Sequence, residues 1–513
     1  MDKAKRPTDR AFFSVWVWLC YPNKLKDGAS QKEKTEFYTL ENTRFLDSES
    51  IPKSRIIHMS KNSPTVIIRA SEEEISRIKN NSLCVDITPY LEEIPEKTTS
   101  EVILSQIGAD SESGTNSSLF NNGAGLSGEG ITIGMISAER TVFEPTSPQL
   151  IPPLSEGRIT VIEFEIPPRR DLHPSVVLSE IIGAEIELNG ITYSGVLPKC
   201  RVIFASTETE KDVFEALDMM IALGVKVVNY SAGIIGDEEY RSFDRQIDRL
   251  VEATGILFVT VSGNRRKVAS AGISYSALTV GNLQTKTAPS IPARTPYCTW
   301  CKDEVNCSGY SSTTDFAHKP DVVAPGVYIP YISPQNEIVS SVNIGTSFAC
   351  PFVSGIAGQI IEEAGEISNL ALKSIIAMSS DRESICSINN PAISGEPFAR
   401  EKTGFGLVNA KSAVLCARDA EIITLNESFS RAFSLTPNAT LCVGICFNKS
   451  TERENESLSL YISTPDKILS ADRENQNLHI LEYTPDRETT ATVGTLSSGN
   501  FYYTLVIWIK NSD

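Results

Sequence analysis

The sequence predicts an α/β protein built on a doubly wound, mostly parallel sheet, with a small α+β domain before it and a β-sandwich after it. Three observations carry this. Between residues 128 and 417, short apolar strands alternate with helical segments, as when crossover helices link parallel strands. Residues 10–95 contain a compressed strand–helix–strand unit. Residues 418–513 show short alternating runs, such as Ala432-Phe433-Ser434-Leu435, separated by turn residues and nearly free of helical patterns, which reads as a sandwich.

In the central region the predicted strands are 131–136, 159–164, 200–205, 225–230, 256–261 and 277–280, with helices at about 174–187, 210–222 and 237–254. Apolar strands of this kind are buried on both faces. In such sheets the site lies beyond the carboxyl ends of the strands.

The N-terminal domain begins with Phe13-Ser14-Val15-Trp16-Val17-Trp18, β-branched and aromatic, and so predicted as a strand. The run Ala11–Tyr21 is also the nearest candidate for a secretory signal, but it lacks a clean basic flank and a small-residue cleavage site. Further on, 65–68 reads as a strand, 71–79 as a helix and 83–87 as a strand; Ser71 and Glu74 have the spacing of a capping box. Residues 96–127, rich in Ser, Thr, Gly and Asn, read as a linker.

A length of 513 residues suggests about three domains. With 41% hydrophobic and 22% charged residues, the chain can build a core without disulfide staples. A net charge of −17 repels phosphate backbones, so nucleic acid is not an expected partner. No apolar run reaches the ~18 residues of a membrane helix. Eleven scattered cysteines argue against a complete disulfide framework and favour a cytoplasmic over a secreted location. Cys298, Cys301 and Cys307 cluster but lack a fourth ligand for zinc, so a local disulfide or free thiols are expected. Asn438 and Asn448 begin glycosylation-type triplets, too common by chance to decide anything.

The most informative segment is Gly345-Thr346-Ser347-Phe348-Ala349-Cys350-Pro351, followed by a helical run. A serine at a helix entrance lies beside unpaired N–H groups and the positive end of the helix dipole. Such groups stabilise an anion forming at an attacked carbonyl. Gly355, Ala357 and Gly358 keep the helix thin enough to pack centrally, and Pro351 fits near its start. Read alone, the segment also suits a buried helix whose serine merely caps it.

Gly-Thr-Ser-x-Ala-x-Pro resembles the nucleophile motif of the subtilase family of serine peptidases, and further stretches resemble that family in the same order. These are Val228-Asn229-Tyr230-Ser231-Ala232-Gly233, Ser262-Gly263-Asn264, Lys319 to Gly326, and Gly404 to Ala410. The resemblance spans about 128–417 and implies a subtilisin-like catalytic domain. Residues 10–95 are similar, more loosely, to the family's inhibitory propeptide, implying an N-terminal domain bound in cis. It further implies that Ser231, Ala232 and Gly233 bind substrate backbone and that Asn264 stabilises the oxyanion. Calcium is common in the family, but no carboxylate-dense loop marks a site, so no cofactor is expected.

A serine nucleophile needs a base. Of the four histidines, His58, His173, His318 and His479, only His173 begins a helix at the family's position in chain order, although His173-Pro174-Ser175-Val176 departs from the family's His-Gly-Thr-His. The family's aspartate follows the strand ending at Ile136, where this chain has Ser137. Serine cannot supply the charge that stabilises the imidazolium; in subtilisin, losing that acid costs about 3 × 10⁴ in kcat. Glu139 and Asp171 are the candidate substitutes, each equally readable as a solvated loop charge. The expectation is a weakened serine endopeptidase acting on peptides or proteins through an acyl-enzyme. The alternative is a catalytically inactive pseudoprotease, a peptide-binding or regulatory module.

Overall fold

The computed structural model describes residues 12–22, 25, 29–90, 96–97, 126–164, 168–234, 239–264, 267–283, 308–310, 318–327, 329–340, 343, 345–381, 400–449, 457–471, 476–498 and 501–510. Cys298, Cys301 and Cys307, and most of the expected linker, lie outside these residues. The chain divides into two compact units: one contains residues 12–90 together with the helix Glu210–Ala222, and the other contains the rest.

In the first unit the strand Phe12–Leu19 lies inside a four-stranded antiparallel sheet, between Thr65–Ser71 and Cys84–Pro89, with Ile56–Met59 at the far edge. The run Ala11–Tyr21 thus forms an interior strand over most of its length. The capping box at Ser71 and Glu74 is present, and it opens the helix Glu72–Lys79. A second helix, Gln31–Ser48, starts with another box at Ser30 and Glu33. That helix has too few apolar residues to show a 3.6-residue stripe; Asn42, Phe45 and Leu46 are its buried side chains. The helix Glu210–Ala222 meets Trp16 and His58 through the ring of Phe214, with ring centroids 5.6 and 6.1 Å away. Asn62 donates to the buried Asp218 carboxylate at 2.6 Å and accepts from Gln31 and Thr35.

The second unit is organised by a seven-stranded sheet, all parallel. Its order is Val322–Pro325, Leu278–Leu283, Leu257–Val261, Val227–Tyr230, Thr132–Ser137, Arg201–Ser206 and Ile159–Ile162. The inner strands are buried on both faces, as parallel strands between helix layers must be. The helix expected at 174–187 runs Leu172–Ile182 and stops at Gly183. Beyond it the chain turns into the hairpin Ile186–Leu188 with Ile191–Tyr193, whose turn residues Asn189 and Gly190 both have positive φ.

The helix Thr346–Ala364 is buried from Thr346 to Ile360. A Cβ on Gly355 would come within 2.6 Å of Val196, and one on Gly358 would overlap Leu197. Only a thin helix approaches this closely.

The C-terminal residues form two four-stranded antiparallel sheets enclosing their own core. The sheet containing Thr440–Phe447 and Tyr503–Lys510 packs on the helix Asn369–Ser379, where Gly444 leaves room for Met378. Cys442, Cys446, Val506 and Trp508 join the core of the α/β domain there. Among the described residues no helix is long and apolar enough to cross a membrane.

Two carboxylates on the helix Ser242–Thr254 secure the loop before the strand Leu278–Leu283. Asp248 accepts from the hydroxyls of Tyr240 and Ser274 and from the N–H groups of Tyr275 and Ser276, at 2.6–3.2 Å. Asp244 Oδ2 accepts from the Ser270 hydroxyl at 2.6 Å and the Arg241 N–H at 3.1 Å; its Oδ1 is buried with no hydrogen-bond partner among the described residues.

Burial pushes the Asp244 carboxyl up to about 7. A raised acid holds its proton in the folded state, so its stabilising contribution is full below the ordinary carboxylate pKa and is lost as pH rises through 7. Asp244→Asn keeps the acceptor for Ser270 without the charge. Its thermal midpoint should exceed that of the native chain at pH 8, and the gap should shrink towards zero near pH 4, as calorimetry at the two pH values will check.

Candidate active site

Three neighbouring strands of the sheet bring residues to one rim. Leu257–Val261 leads into Asn264, Val227–Tyr230 into Ser231, and Thr132–Ser137 ends at Ser137. These are carboxyl ends, where a parallel sheet exposes its site. Two helix starts face them: Leu172–Ile182, carrying His173, and Thr346–Ala364, carrying Ser347 at its second position.

Ser347 and its two chain neighbours touch three of the other four elements. The Thr346 N–H and hydroxyl both donate to Asn264 Oδ1, at 2.9 and 3.1 Å. The Ser347 carbonyl accepts from the Ser231 hydroxyl at 2.9 Å. The ring of Phe348 lies 5.3 Å from the ring of His173, centroid to centroid. Residues 346–348 thus lie among Asn264, Ser231 and the ring of His173, and Ser347 and His173 are both buried.

The orientation of Asn264 follows from its partners. Its carbonyl oxygen faces the helix N–H, which leaves Nδ2 pointing elsewhere. That nitrogen is buried and has no hydrogen-bond partner among the described residues. An unfilled buried donor costs about 1–3 kcal/mol, which suits a group whose acceptor arrives with a ligand.

Ser137, which the resemblance sets at the family's acid position, begins a hydroxyl chain. Ser137 Oγ lies 2.9 Å from Thr141 Oγ1, and the Thr141 hydroxyl donates to the Ala138 carbonyl at 2.9 Å. Thr141 has one hydroxyl hydrogen, so Ser137 must be the donor in the first bond. Ser137 is left with lone pairs and no charge. Of the candidate substitutes, Asp171 is the N-cap of the histidine helix, and its Oδ1 accepts the main-chain N–H of His173 at 2.9 Å. Glu139 pairs with Arg169 at 3.4 Å.

Sequence reasoning passed over Glu180, seven residues after His173 on the same helix face, about 10 Å along the axis. Both its carboxyl oxygens are buried without a hydrogen-bond partner among the described residues. Burial pushes its pKa well above the usual carboxylate range. No periodicity signals such a residue, because a glutamate in a helix reads as surface.

The strand Ala232–Gly233 pairs antiparallel with Glu96–Lys97, Gly233 opposite Glu96 and Ala232 opposite Lys97. A segment of the chain itself thus adds a strand at the place the sequence assigned to substrate backbone. Beside that strand, a Cβ on Gly233 would meet the methyl of Ala269 at 2.9 Å, and one on Gly263 would meet it at 3.1 Å. Ala269 is buried, and its N–H closes the loop by donating to the Ser262 carbonyl at 3.0 Å.

Residues 167–406, which include His173, Asn264 and Ser347, match the subtilase family, peptidase S8. The serine protease AprX of Bacillus subtilis (strain 168) is 23% identical over 304 residues, 52% of this chain and 64% of that protein. The chain thus spans a little under two thirds of the length of this curated relative. Among solved structures, the prenylagaramide maturation protease PagA aligns at 18% identity and a TM-score of 0.43, covering 58% of this chain and 98% of that one. The patellamide maturation protease PatA aligns at 18% identity and 0.43, covering 56% and 97%. The α/β domain that carries these residues is thus similar to the subtilase family over residues 167–406.

Proposed function

We propose that the chain is a serine endopeptidase of reduced rate, in which Ser347 is the nucleophile, His173 the base and Asn264 the oxyanion donor. The observation that carries this reading is the buried, unpartnered Nδ2 of Asn264, held next to the nucleophile by Asn264's own bond to Thr346. Ser347 attacks the peptide carbonyl and its proton passes to His173. The oxyanion is held by Asn264 Nδ2 and the N–H groups of the helix start. His173 then returns the proton to the leaving amine. Ser137 offers lone pairs that can orient an imidazole N–H but no charge to stabilise imidazolium, so acylation is slow. A fluorophosphonate probe should label Ser347 in the native chain, slowly compared with an ordinary subtilase, and labelling should vanish in Ser347→Ala and drop steeply in His173→Ala. No labelling of the folded native chain sinks this reading.

The substrate follows from the strand at 231–233. A peptide paired as Glu96–Lys97 is would direct the side chain preceding the scissile bond between Gly233 and Gly263, onto the methyl of Ala269. That slot takes small side chains, from glycine and alanine up to threonine, and rejects large ones. One methylene in such a pocket is worth about 10–200-fold. Peptide substrates with Ala before the scissile bond should therefore exceed their Phe counterparts in kcat/KM by at least about tenfold. Ala269→Gly should narrow the gap; an unchanged ratio rules out this slot.

A second reading, a pseudoprotease that holds peptide without cutting it, is favoured by the uncharged Ser137 and by the chain's own strand at 96–97. Intact-mass measurement separates the two. Cleavage in cis should fall within one or two residues after Lys97 and disappear in Ser347→Ala. A full-length native chain under conditions where the probe also fails to label supports the second reading.

A further inference from the structure

The helix carrying the nucleophile contains a proline, Pro351, at its sixth position. Proline has no N–H, so the helical rung it would donate to the carbonyl four residues earlier is missing. That carbonyl belongs to Ser347, and the Ser231 hydroxyl donates to it at 2.9 Å. The hydroxyl is itself held: Asn229 Nδ2 donates to Ser231 Oγ at 3.0 Å, and Asn229 Oδ1 accepts from the Ser354 hydroxyl at 3.0 Å. All four residues are fully or almost fully buried. Ser354 lies seven residues after Ser347, two turns along the same helix face. Asn229 therefore grips the helix at two points, once directly and once through Ser231.

We propose that Ser231 is a positioning residue, whose hydroxyl replaces the N–H that Pro351 denies to the Ser347 carbonyl and so ties the peptide-pairing strand to the nucleophile. With an ordinary residue at 351, the main chain would complete the rung and the helix start would be set by the helix alone. With proline there, the donor comes from the strand, and the position of the nucleophile is referred to the same backbone that aligns the peptide. The kinetic consequence rests on the peptidase reading above; the structural coupling does not.

The test is a cycle of Ser231→Ala, Pro351→Ala and the double variant, read by fluorophosphonate labelling and by thermal midpoint. Ser231→Ala should lower the labelling rate at saturating probe about two- to tenfold, the size of one net hydrogen bond, while the probe concentration at half-saturation stays unchanged. Ser231→Thr, which keeps the hydroxyl, should restore the rate. In the Pro351→Ala background, where the main-chain N–H returns, Ser231→Ala should change the rate by less than about twofold and the midpoint by less than in the native background. Equal effects in both backgrounds overturn the proposal. If Ser231→Ala fails to fold, its recovery on adding Pro351→Ala supports the proposal and continued failure overturns it. If the folded native chain is not labelled at all, the peptidase reading falls, and the midpoints decide alone: additive shifts overturn the coupling, non-additive shifts sustain it.

Discussion

The close approach of the Thr346–Ala364 helix to the sheet is the constraint on which the site depends. The first turn of that helix must reach the ends of two neighbouring strands at once. Gly355 and Gly358 permit this, because any side chain there would collide with Val196 or Leu197. Once the helix is that close, its hydroxyls and carbonyls lie within hydrogen-bond reach of Asn229, Ser231 and Asn264. A helix held off by even one methyl at each glycine would lose these bonds together, since each depends on the same separation.

Buried polar groups hold the loops that end on the site. Asp321 accepts from Lys319 Nζ at 2.8 Å, lies 3.5 Å from Lys373 Nζ, and accepts the Thr279 N–H at 2.8 Å. The two ammonium groups also donate to the carbonyls of Ala277 and Tyr275. Burial lowers the Lys319 pKa to about 8, with Asp321 opposing the shift. Burial likewise works against the Asp321 charge, but Lys319 and Lys373 outweigh it and keep the carboxyl below its ordinary range. Removing one partner of such a group leaves a buried charge uncompensated. The cluster therefore fixes where the 275–279 and 319–321 segments meet, as Asp248 fixes the turn at 274–276 beside it.

Position 137 shows how little of a strand depends on the side chain at its end. Ser137 stays at the end of its strand, in register with Ser206 on the neighbouring one, and its carbonyl accepts from Thr207. The strand keeps its place with an uncharged side chain there. Asp171, the nearest carboxylate in sequence to His173, uses one oxygen to cap the histidine's helix. That bond orients the main chain of His173 whether or not a proton is to be moved.

Much of the fold was legible because it is written in local spacing. The alternation of apolar runs with helical segments marked the parallel sheet, the Ser71–Glu74 pair marked a helix start, and the glycines after Ser347 marked a thin central helix. The candidate site was legible as far as its motifs run: Ser347, His173 and Asn264 were singled out from short segments and their order, and the structure sets Thr346 on Asn264 and Phe348 beside His173. Less was legible where local signals are weak. The polar helix Gln31–Ser48 shows almost no apolar stripe, and the helix over 174–187 was overextended because nothing apolar stops before the Asn189-Gly190 turn.

By itself, then, the sequence determined the layers and the uncharged side chain at position 137, since each is a property of a few consecutive residues. The tertiary structure alone decided the rest: that the helix Glu210–Ala222 groups with the N-terminal unit, that Asp171 caps, that Ala269 fills the space between two glycines, and that Ser231 meets the Ser347 carbonyl. Most of these are contacts between residues far apart in the chain, and no periodicity of 2 or 3.6 encodes which of many distant partners a side chain will meet.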